Sequence, residues 1–459
     1  MARRRLRAIS LFAAVGASLA LFVPSASRAF EVGLTDGLFN SAGSNGVWFD
    51  RTVEARAALA RINVSWSEVA RATRPADPSN PADPSYDFRT LDAGVQNATA
   101  RGLNVLLTVD SAPIWAEGEN RPAGAAPGTW KPNPEELRAF GQALASRYSG
   151  RFQGLPRVRY FQAWNEPNLY VYLTPQSSGG VPESPAIYRQ MLNAFYAGIK
   201  SVSSSDQVVT AGTAPYGDPP GGARLPPAVF WRNLLCLEGQ RLRPTPCSDP
   251  AHFDIAAHNP INAGAPTRPA ATRDDISTSD LGKLKRILSK ARQTGRSLPA
   301  GRKPLWATEF WWDSNPPDPQ GVPESRQAHW LEQALYLLWK QGVQEAIWFQ
   351  IRDAPPDPDY ASTYQTGLFQ LDGTPKLAFQ AYRFPFVAER LSRRKIRVWG
   401  MAPSAGRVRI QRRVHGHWKT ARRLRTGRDR VFSGRLNLRG HARLRAAAAG
   451  ETSLVWRQH

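Results

Sequence analysis

Cysteine is nearly absent from this chain: among 459 residues only Cys236 and Cys247 occur. Two thiols cannot build a thiolate zinc cage. The seven histidines show no ligand spacing, so neither a metal nor a cofactor is expected. Beyond the N-terminal segment no apolar run approaches the roughly 20 residues that a membrane-spanning helix needs. No G-x-G-x-x-G turn follows the first strand-like segment, which removes the main reason to expect a dinucleotide-binding sheet. Acidic residues are scarce too: 37 Asp and Glu stand against 60 Lys and Arg, a formal charge of +23. The shortage is local. Residues 1–29 hold five Arg and no acid, residues 388–459 hold twenty Lys and Arg against three acids, and the stretch between is almost neutral. Binding of nucleic acid by charge would have to reside in the tail alone, and no specific nucleic-acid partner is expected.

The start of the chain reads as an export leader. Arg3, Arg4, Arg5 and Arg7 precede an apolar run from Ile9 to Val23, and Ser27 and Ala29 stand at −3 and −1 of a cut before Phe30. An uncleaved anchor is the alternative, but the run is about 15 residues, short of a span. A secreted protein is therefore expected. In an oxidising compartment Cys236 and Cys247 read as one local disulfide. Fifteen tryptophans are an unusual number, and this large amphipathic ring often lines ligand sites.

Between Phe30 and Val387 short apolar runs alternate with helical patterns, which argues for βα units and a parallel sheet. Eight strand segments are predicted: Glu31–Thr35, Ala60–Trp66, Leu103–Val109, Val158–Trp164, Val208–Gly212, Phe253–Ala257, Pro304–Thr308 and Ala346–Ile351. Helices are predicted over Pro134–Tyr148 and Gln327–Gln341, among others. In the first, Leu137, Phe140, Leu144 and Tyr148 share a face behind a proline suited to the first turn. Eight such units fit a closed (β/α)8 barrel over residues 30–387. Pro/Gly-rich loops Glu117–Pro134, Tyr216–Pro227, Ser314–Pro323 and Ala354–Gln365 follow strands, so they gather on the face where such barrels carry their sites. From residue 388 to 459 the texture changes to alternating arginine-rich runs with Gly416 and Gly434 as turns. This predicts a small antiparallel β domain.

Two segments carry chemistry. Tyr160-Phe-Gln-Ala-Trp-Asn-Glu-Pro-Asn168 is a buried strand stopped by Pro167, which places Glu166 at its C-terminal end beside Trp164 and Asn165. A carboxyl group desolvated there has a raised pKa and serves as an acid. Pro304-Leu-Trp-Ala-Thr-Glu-Phe-Trp-Trp-Asp313 places Glu309 in the same way on the seventh strand. Strands four and seven face each other across an eight-stranded ring, and converging carboxyl groups are the arrangement of a retaining glycosidase.

The segment Trp164-Asn-Glu-Pro-Asn168, followed by Glu309 on strand seven, resembles the clan A glycoside hydrolases, most of all those of the family 5 cellulase type and the family 39 xylosidase type. Arg61-Ile-Asn-Val-Ser-Trp66 resembles the clan's second strand, and Gly367-Leu-Phe-Gln-Leu-Asp-Gly-Thr-Pro-Lys376 its close. The likeness runs from about Glu31 to Tyr382. It implies Glu166 as acid/base, Glu309 as nucleophile, Asn165 as the partner of the sugar 2-hydroxyl, and a carbohydrate substrate. It also implies a sugar or nucleophile contact for His258 and a stacking role for Trp348, although a structural histidine and a core tryptophan are alternatives. Trp115, Trp311, Trp312, Tyr170 and Tyr172 are candidate stacking platforms. A noncatalytic glycan- or wall-binding protein on a decayed barrel is the rival reading. The basic tail either binds an anionic cell-envelope polymer or acidic polysaccharide, or binds carbohydrate as an accessory, or is a β domain with solvated charges. Sugar, linkage and oligomeric state are left open by the sequence.

Overall fold

The computed structural model describes residues 29–40, 45–427 and 429–458. The leader-like run therefore lies outside the described residues. Eight parallel strands line a ring: β1 (Glu31–Thr35), β2 (Leu59–Ser65), β3 (Asn104–Asp110), β4 (Tyr160–Ala163), β5 (Gln207–Thr210), β6 (Ala256–His258), β7 (Leu305–Phe310) and β8 (Glu345–Phe349). Each is followed by its own helix: α1 (Asn45–Glu54), α2 (Arg89–Ala100), α3 (Pro134–Arg147), α4 (Ser184–Val202), α5 (Pro227–Leu234), α6 (Gly282–Gln293), α7 (Glu324–Lys340) and α8 (Leu377–Arg383). The hydrogen-bonded order is β6-β7-β8-β1-β2-β3-β4-β5. Parallel bridges Val209–Ile255 and Thr213–His258 join β5 to the β6 segment and close the ring. The fold is a (β/α)8 barrel.

All eight predicted strands are present, with ends shifted by a few residues. The largest shift is at β6. There Phe253 donates to Leu298 O and Asp254 to Val208 O, so regular pairing with β7 begins only at Ala256. Helix α3 starts as predicted, because Asn133 Oδ1 accepts from the amides of Glu135 and Glu136 and Pro134 needs no donor partner. Helix α7 begins three residues before its predicted start, immediately after Pro323. The four Pro/Gly-rich loops lie after β3, β5, β7 and β8, at the C-terminal end of the ring.

Two apolar layers hold the barrel. An inner cluster of Leu59, Leu106, Val209, Ile255, Ala257, Trp306 and Ile347 fills the ring early in the strands. A larger outer core packs the strands against the helices. Trp66, Trp164, Trp231, Trp348 and Trp399 are among the largest fully buried side chains. Much of the tryptophan excess is thus packing rather than ligand lining.

Past the barrel the chain forms two antiparallel sheets from β9 (Phe386–Ser392), β10 (Lys395–Met401), β11 (Arg407–Val414), β12 (His417–Arg425), β13 (Val431–Asn437), β14 (Ala442–Ala448), β15 (Glu451–Thr452) and β16 (Trp456–Gln458). One sheet has the order β9-β10-β13; in the other β12-β11-β14 is extended by β15 and β16. The first strand starts at Phe386, two residues before the texture change. Trp399, fully buried, packs against Phe30, Tyr336 and Trp339 and so ties the β region to the barrel. Around it Glu389 meets Lys340 and the Tyr336 hydroxyl, and Glu451 meets Arg56. The disulfide Cys236–Cys247 closes a loop just after α5, as expected. Trp399→Ala is expected to cost about 3–5 kcal/mol of unfolding free energy, as large-to-small changes in well-packed cores do. Urea unfolding followed by tryptophan fluorescence would show it; a loss under 1 kcal/mol would mean that the barrel and the β region do not depend on this contact.

Candidate active site

At the C-terminal end of β4 the backbone leaves the strand abruptly. Trp164 has φ 77° and Glu166 φ 34°, both in the left-handed region that non-glycine residues seldom enter. Ser111 after β3 (φ 55°) and Gln350 after β8 (φ 86°) do the same on the same rim. Such conformations persist only where surrounding contacts enforce them, and they cluster at functional sites. Here the contacts are visible. Glu166 N–H donates to Gly212 O, and buried Asn168 donates to Ala214 O and Leu225 O while accepting from Ala214 N–H. The turn has an effect on side chains. Asn165 and Glu166, consecutive residues, both meet groups of the barrel interior, which a regular strand would forbid.

Arg61 of β2 is the hub of that interior. Only 2% exposed, it donates from Nε to Thr108 Oγ1, from Nη2 to Asn165 Oδ1 at 2.9 Å, and from Nη1 to Glu309 Oε2 at 3.0 Å. Nη1 also reaches Thr308 O. Thr108 in turn donates to Gln162 Oε1, whose amide donates to Thr210 O. A second branch runs from Thr308 Oγ1 to Asn259 Oδ1, and from Asn259 Nδ2 to Glu166 Oε1 at 2.9 Å. Thr308 and Glu309 are neighbours in sequence, yet both face inward. The register of β7 against β8 slips between Ala307 and Phe310, and an irregularity of this kind re-aims a side chain. Gly212 leaves the space for this branch: a Cβ there would lie 2.1 Å from Asn259 Oδ1 and 2.4 Å from Thr308 Oγ1.

The two carboxyl groups have different surroundings. Glu309 is paired with Arg61, and its side chain is 16% exposed. Glu166 is half-buried, and desolvation pushes its pKa up to about 8, with the charge of Glu309 adding to the rise; Asn259 and Arg61 act in the opposite direction. A third carboxyl group, Asp110, ends β3 in the inward row that begins with Leu106 and Thr108, and burial raises its pKa to about 6. Tyr172 feels the charges of all three acids, and Tyr364, 43% exposed, feels those of Glu309 and Glu166. Tyr364 packs edge-on to Trp311 at 5.1 Å and to Phe349. Tyr172 and Tyr364, the latter packed with Trp311, are thus aromatic side chains within the field of the acids.

Several expectations need correction. Trp348 is fully buried, donates to Thr366 O and packs against Phe310 and Trp312, so neither face of its ring is open to stack on a sugar. Trp312 is buried as well and donates to Gly264 O. His258 touches neither glutamate. Its Nε2 faces Ile276 O and must carry the hydrogen, which makes Nδ1 the acceptor for the Thr213 hydroxyl; Thr213 in turn accepts from Trp231 Nε1. Burial lowers the pKa of His258 to about 4, so it is a neutral structural histidine. The neighbouring Asn259, not His258, reaches a glutamate, and the one it meets is Glu166 rather than the nucleophile candidate Glu309. Trp115 is half-buried, lies edge-on to Trp66 and donates to Arg71 O. Tyr170 is exposed.

Sequence reasoning missed Arg61, Asn259, Asp110 and Tyr364 as site residues. For Arg61 and Asp110 a signal existed: each shares the parity of an inward leucine, Leu59 and Leu106, on its strand. Tyr364 lies in a long loop, where residue type alone gives no direction.

No family model matches the sequence, nor does any curated protein. Solved structures share the fold. A family 39 glycoside hydrolase from the gut symbiont Bacteroides cellulosilyticus superposes with a TM-score of 0.56 at 15% identity, covering 90% of this chain and 81% of that one. A glucosidase from Croceicoccus marinus superposes with a TM-score of 0.52 at 14% identity, covering 90% and 94%. At these identities the likeness is one of fold, the (β/α)8 barrel followed by a β region.

Arg61→Leu would leave the Glu309 carboxylate unpaired and Asn165 Oδ1 without its donor. Removing one partner of a buried ion pair costs about 3–5 kcal/mol. Denaturant unfolding of the variant should show a loss in that range; an unchanged midpoint would sink the hub role.

Proposed function

We propose that this chain is a retaining glycoside hydrolase that cleaves O-glycosidic bonds of an oligo- or polysaccharide by double displacement. The observation that carries the reading is the contrast between two glutamates at the ends of strands four and seven. One is ion-paired with a buried arginine. The other is kept protonated by burial and by its neighbour's charge. A nucleophile must be ionised and an acid must hold its proton, so the two environments match the two roles.

In the first step a Glu309 oxygen attacks the anomeric carbon while the bond to the leaving oxygen breaks, and Glu166 transfers its proton to that oxygen. A covalent glycosyl ester forms. In the second step water attacks the anomeric carbon, Glu166 takes the water's proton, and the ester bond breaks to return the Glu309 carboxylate. Two inversions give net retention. Asn165, which accepts from Arg61, is in this reading the partner of the 2-hydroxyl. Tyr364 and Trp311 offer ring faces to the sugar's C–H face. No cofactor takes part. The rival reading, a noncatalytic glycan binder, gains no support from a site in which both acids and their partners are in place.

Glu309→Ala is expected to lower turnover of activated aryl glycosides at least 1,000-fold. Azide should restore part of it, with a glycosyl azide of inverted configuration as product, detectable by proton NMR. Wild-type activity in this variant would refute the assignment.

The pH dependence follows from Glu166. Its raised pKa means that the required proton is present at neutral pH and lost as pH rises. The alkaline limb of kcat/KM should therefore fall at about pH 8, and the limb should vanish in Glu166→Gln when a substrate with a good leaving group bypasses the acid. A limb that persists in that variant would assign the titration to another group.

A further inference from the structure

The outer face of the β11–β12–β14–β16 sheet carries an array of arginines without counter-charges. Register puts Arg407 opposite Arg425, Arg409 opposite Arg423, and Arg443 opposite Arg457. All six are exposed. Directly opposed side chains lie about 5 Å apart, and like charges there destabilise a sheet. Among the described residues none of these six has an acidic partner within ion-pair distance. The three acids of residues 388–459 are engaged elsewhere. Glu389 and Glu451 pair with the barrel's Lys340, Arg56 and Arg383, and Asp429 accepts from Val431 N–H. On the same face Arg445 lies over the ring of half-buried Trp418, 4.3 Å from its centroid.

The geometry points to this face as a docking surface for an acidic polysaccharide, a linear polymer with repeated carboxylate or sulfate groups. On β11 and β12 Arg407 and Arg409 face Arg425 and Arg423, two residues (about 6.8 Å) apart along the strands, which are about 4.8 Å apart; on β14 Arg443, two residues before Arg445, faces Arg457, while Ala447 stands opposite Arg409. The face thus carries two groups of guanidinium forks that donate to carboxylate or sulfate in bidentate fashion. The aromatic ring on this face, that of Trp418, is covered on one side by Arg445, which leaves nucleobases little on which to stack. Among the described residues Val455 is the one large exposed apolar side chain of that sheet, which gives a lipid surface nothing to anchor. The choice of a carbohydrate polymer rests on the glycosidase reading of the barrel; the positive face itself does not.

A charge swap tests the proposal without threatening the fold. Arg409→Glu together with Arg425→Glu replaces two opposed arginine pairs by two opposed Arg–Glu pairs, so the thermal midpoint should hold or rise. Binding of the purified chain to polygalacturonate, measured by isothermal calorimetry, should weaken at least tenfold in this double variant and again at least tenfold between 50 and 200 mM salt. Dextran should not bind, and activity on an aryl glycoside should be unchanged. Polygalacturonate binding that is absent, or equal in the two chains, would overturn the proposal, as would tighter binding of duplex DNA by the wild type. The same titration with Glu309→Ala separates the two readings: binding should persist there, and an active Glu309→Ala chain would fail the hydrolase reading while leaving the docking surface intact.

Discussion

One buried guanidinium organises the candidate site. Arg61 sits inside a ring of parallel strands, where an unpaired charge would be untenable, and each of its five N–H donors is a constraint on what surrounds it. Four acceptors from three other strands or their ends meet it: Thr108, Thr308 O, Glu309 and Asn165. The planar fork fixes their relative directions, which a lysine's single ammonium would not. The arrangement therefore couples solvation of the arginine to the positions of Glu309 and Asn165. Folding of the barrel interior and assembly of the site are in this respect the same event.

The second glutamate is handled by the opposite device. Glu166 has no cation of its own; a neutral amide, Asn259, meets one of its oxygens. The amide orients the carboxyl group without forcing it to ionise. The field of Glu309 and the loss of solvent then do the rest. Because Asn259 is itself held by Thr308, which precedes Glu309, the two acids are mechanically linked through two residues. This leaves little freedom for one to move without the other. Gly212 belongs to the same logic, since any side chain at that position would occupy the space of the Asn259–Thr308 contact.

The barrel was legible in the sequence because its strands are short apolar runs and its helices carry apolar stripes, and these periods survive in any parallel α/β fold. The two glutamates were legible because each follows a buried strand directly, and Pro167 marks where the first one ends. What the sequence did not reveal is side-chain direction past the strand ends. Strict alternation fails at Trp164, at Glu166 and at the slip in β7, so neighbours swap roles. His258 turns to Thr213 while Asn259 reaches the acid. Trp348 and Trp312 turn into packing while Trp311 stays beside Tyr364. The residue types were right for a sugar site, but which of two adjacent positions serves it depends on backbone dihedrals that no pattern of residue types encodes. Arg61 is the instructive miss: it shares the parity of inward Leu59 but also that of polar Asn63 and Ser65, so residue types alone read it equally as solvent-facing.

The β region shows why its arginines need not serve folding. Its sheet is held by the inner face, where Val408, Ile410, Leu444, Ala446 and Trp456 are buried, and its attachment to the barrel runs through Trp399 and the two engaged glutamates. Apolar area and opposite charges thus lie together on the side toward the barrel, while like charges are left on the side toward solvent. A sheet whose stability depended on its outer face would place acids opposite those arginines, because opposed unlike pairs stabilise and opposed like pairs do not. Here every acid of the region is placed elsewhere. The cost of the unbalanced face is modest in salt solution, where exposed charges are screened over about 8 Å, so the inner packing carries it. What remains is an exposed positive surface on which folding does not depend.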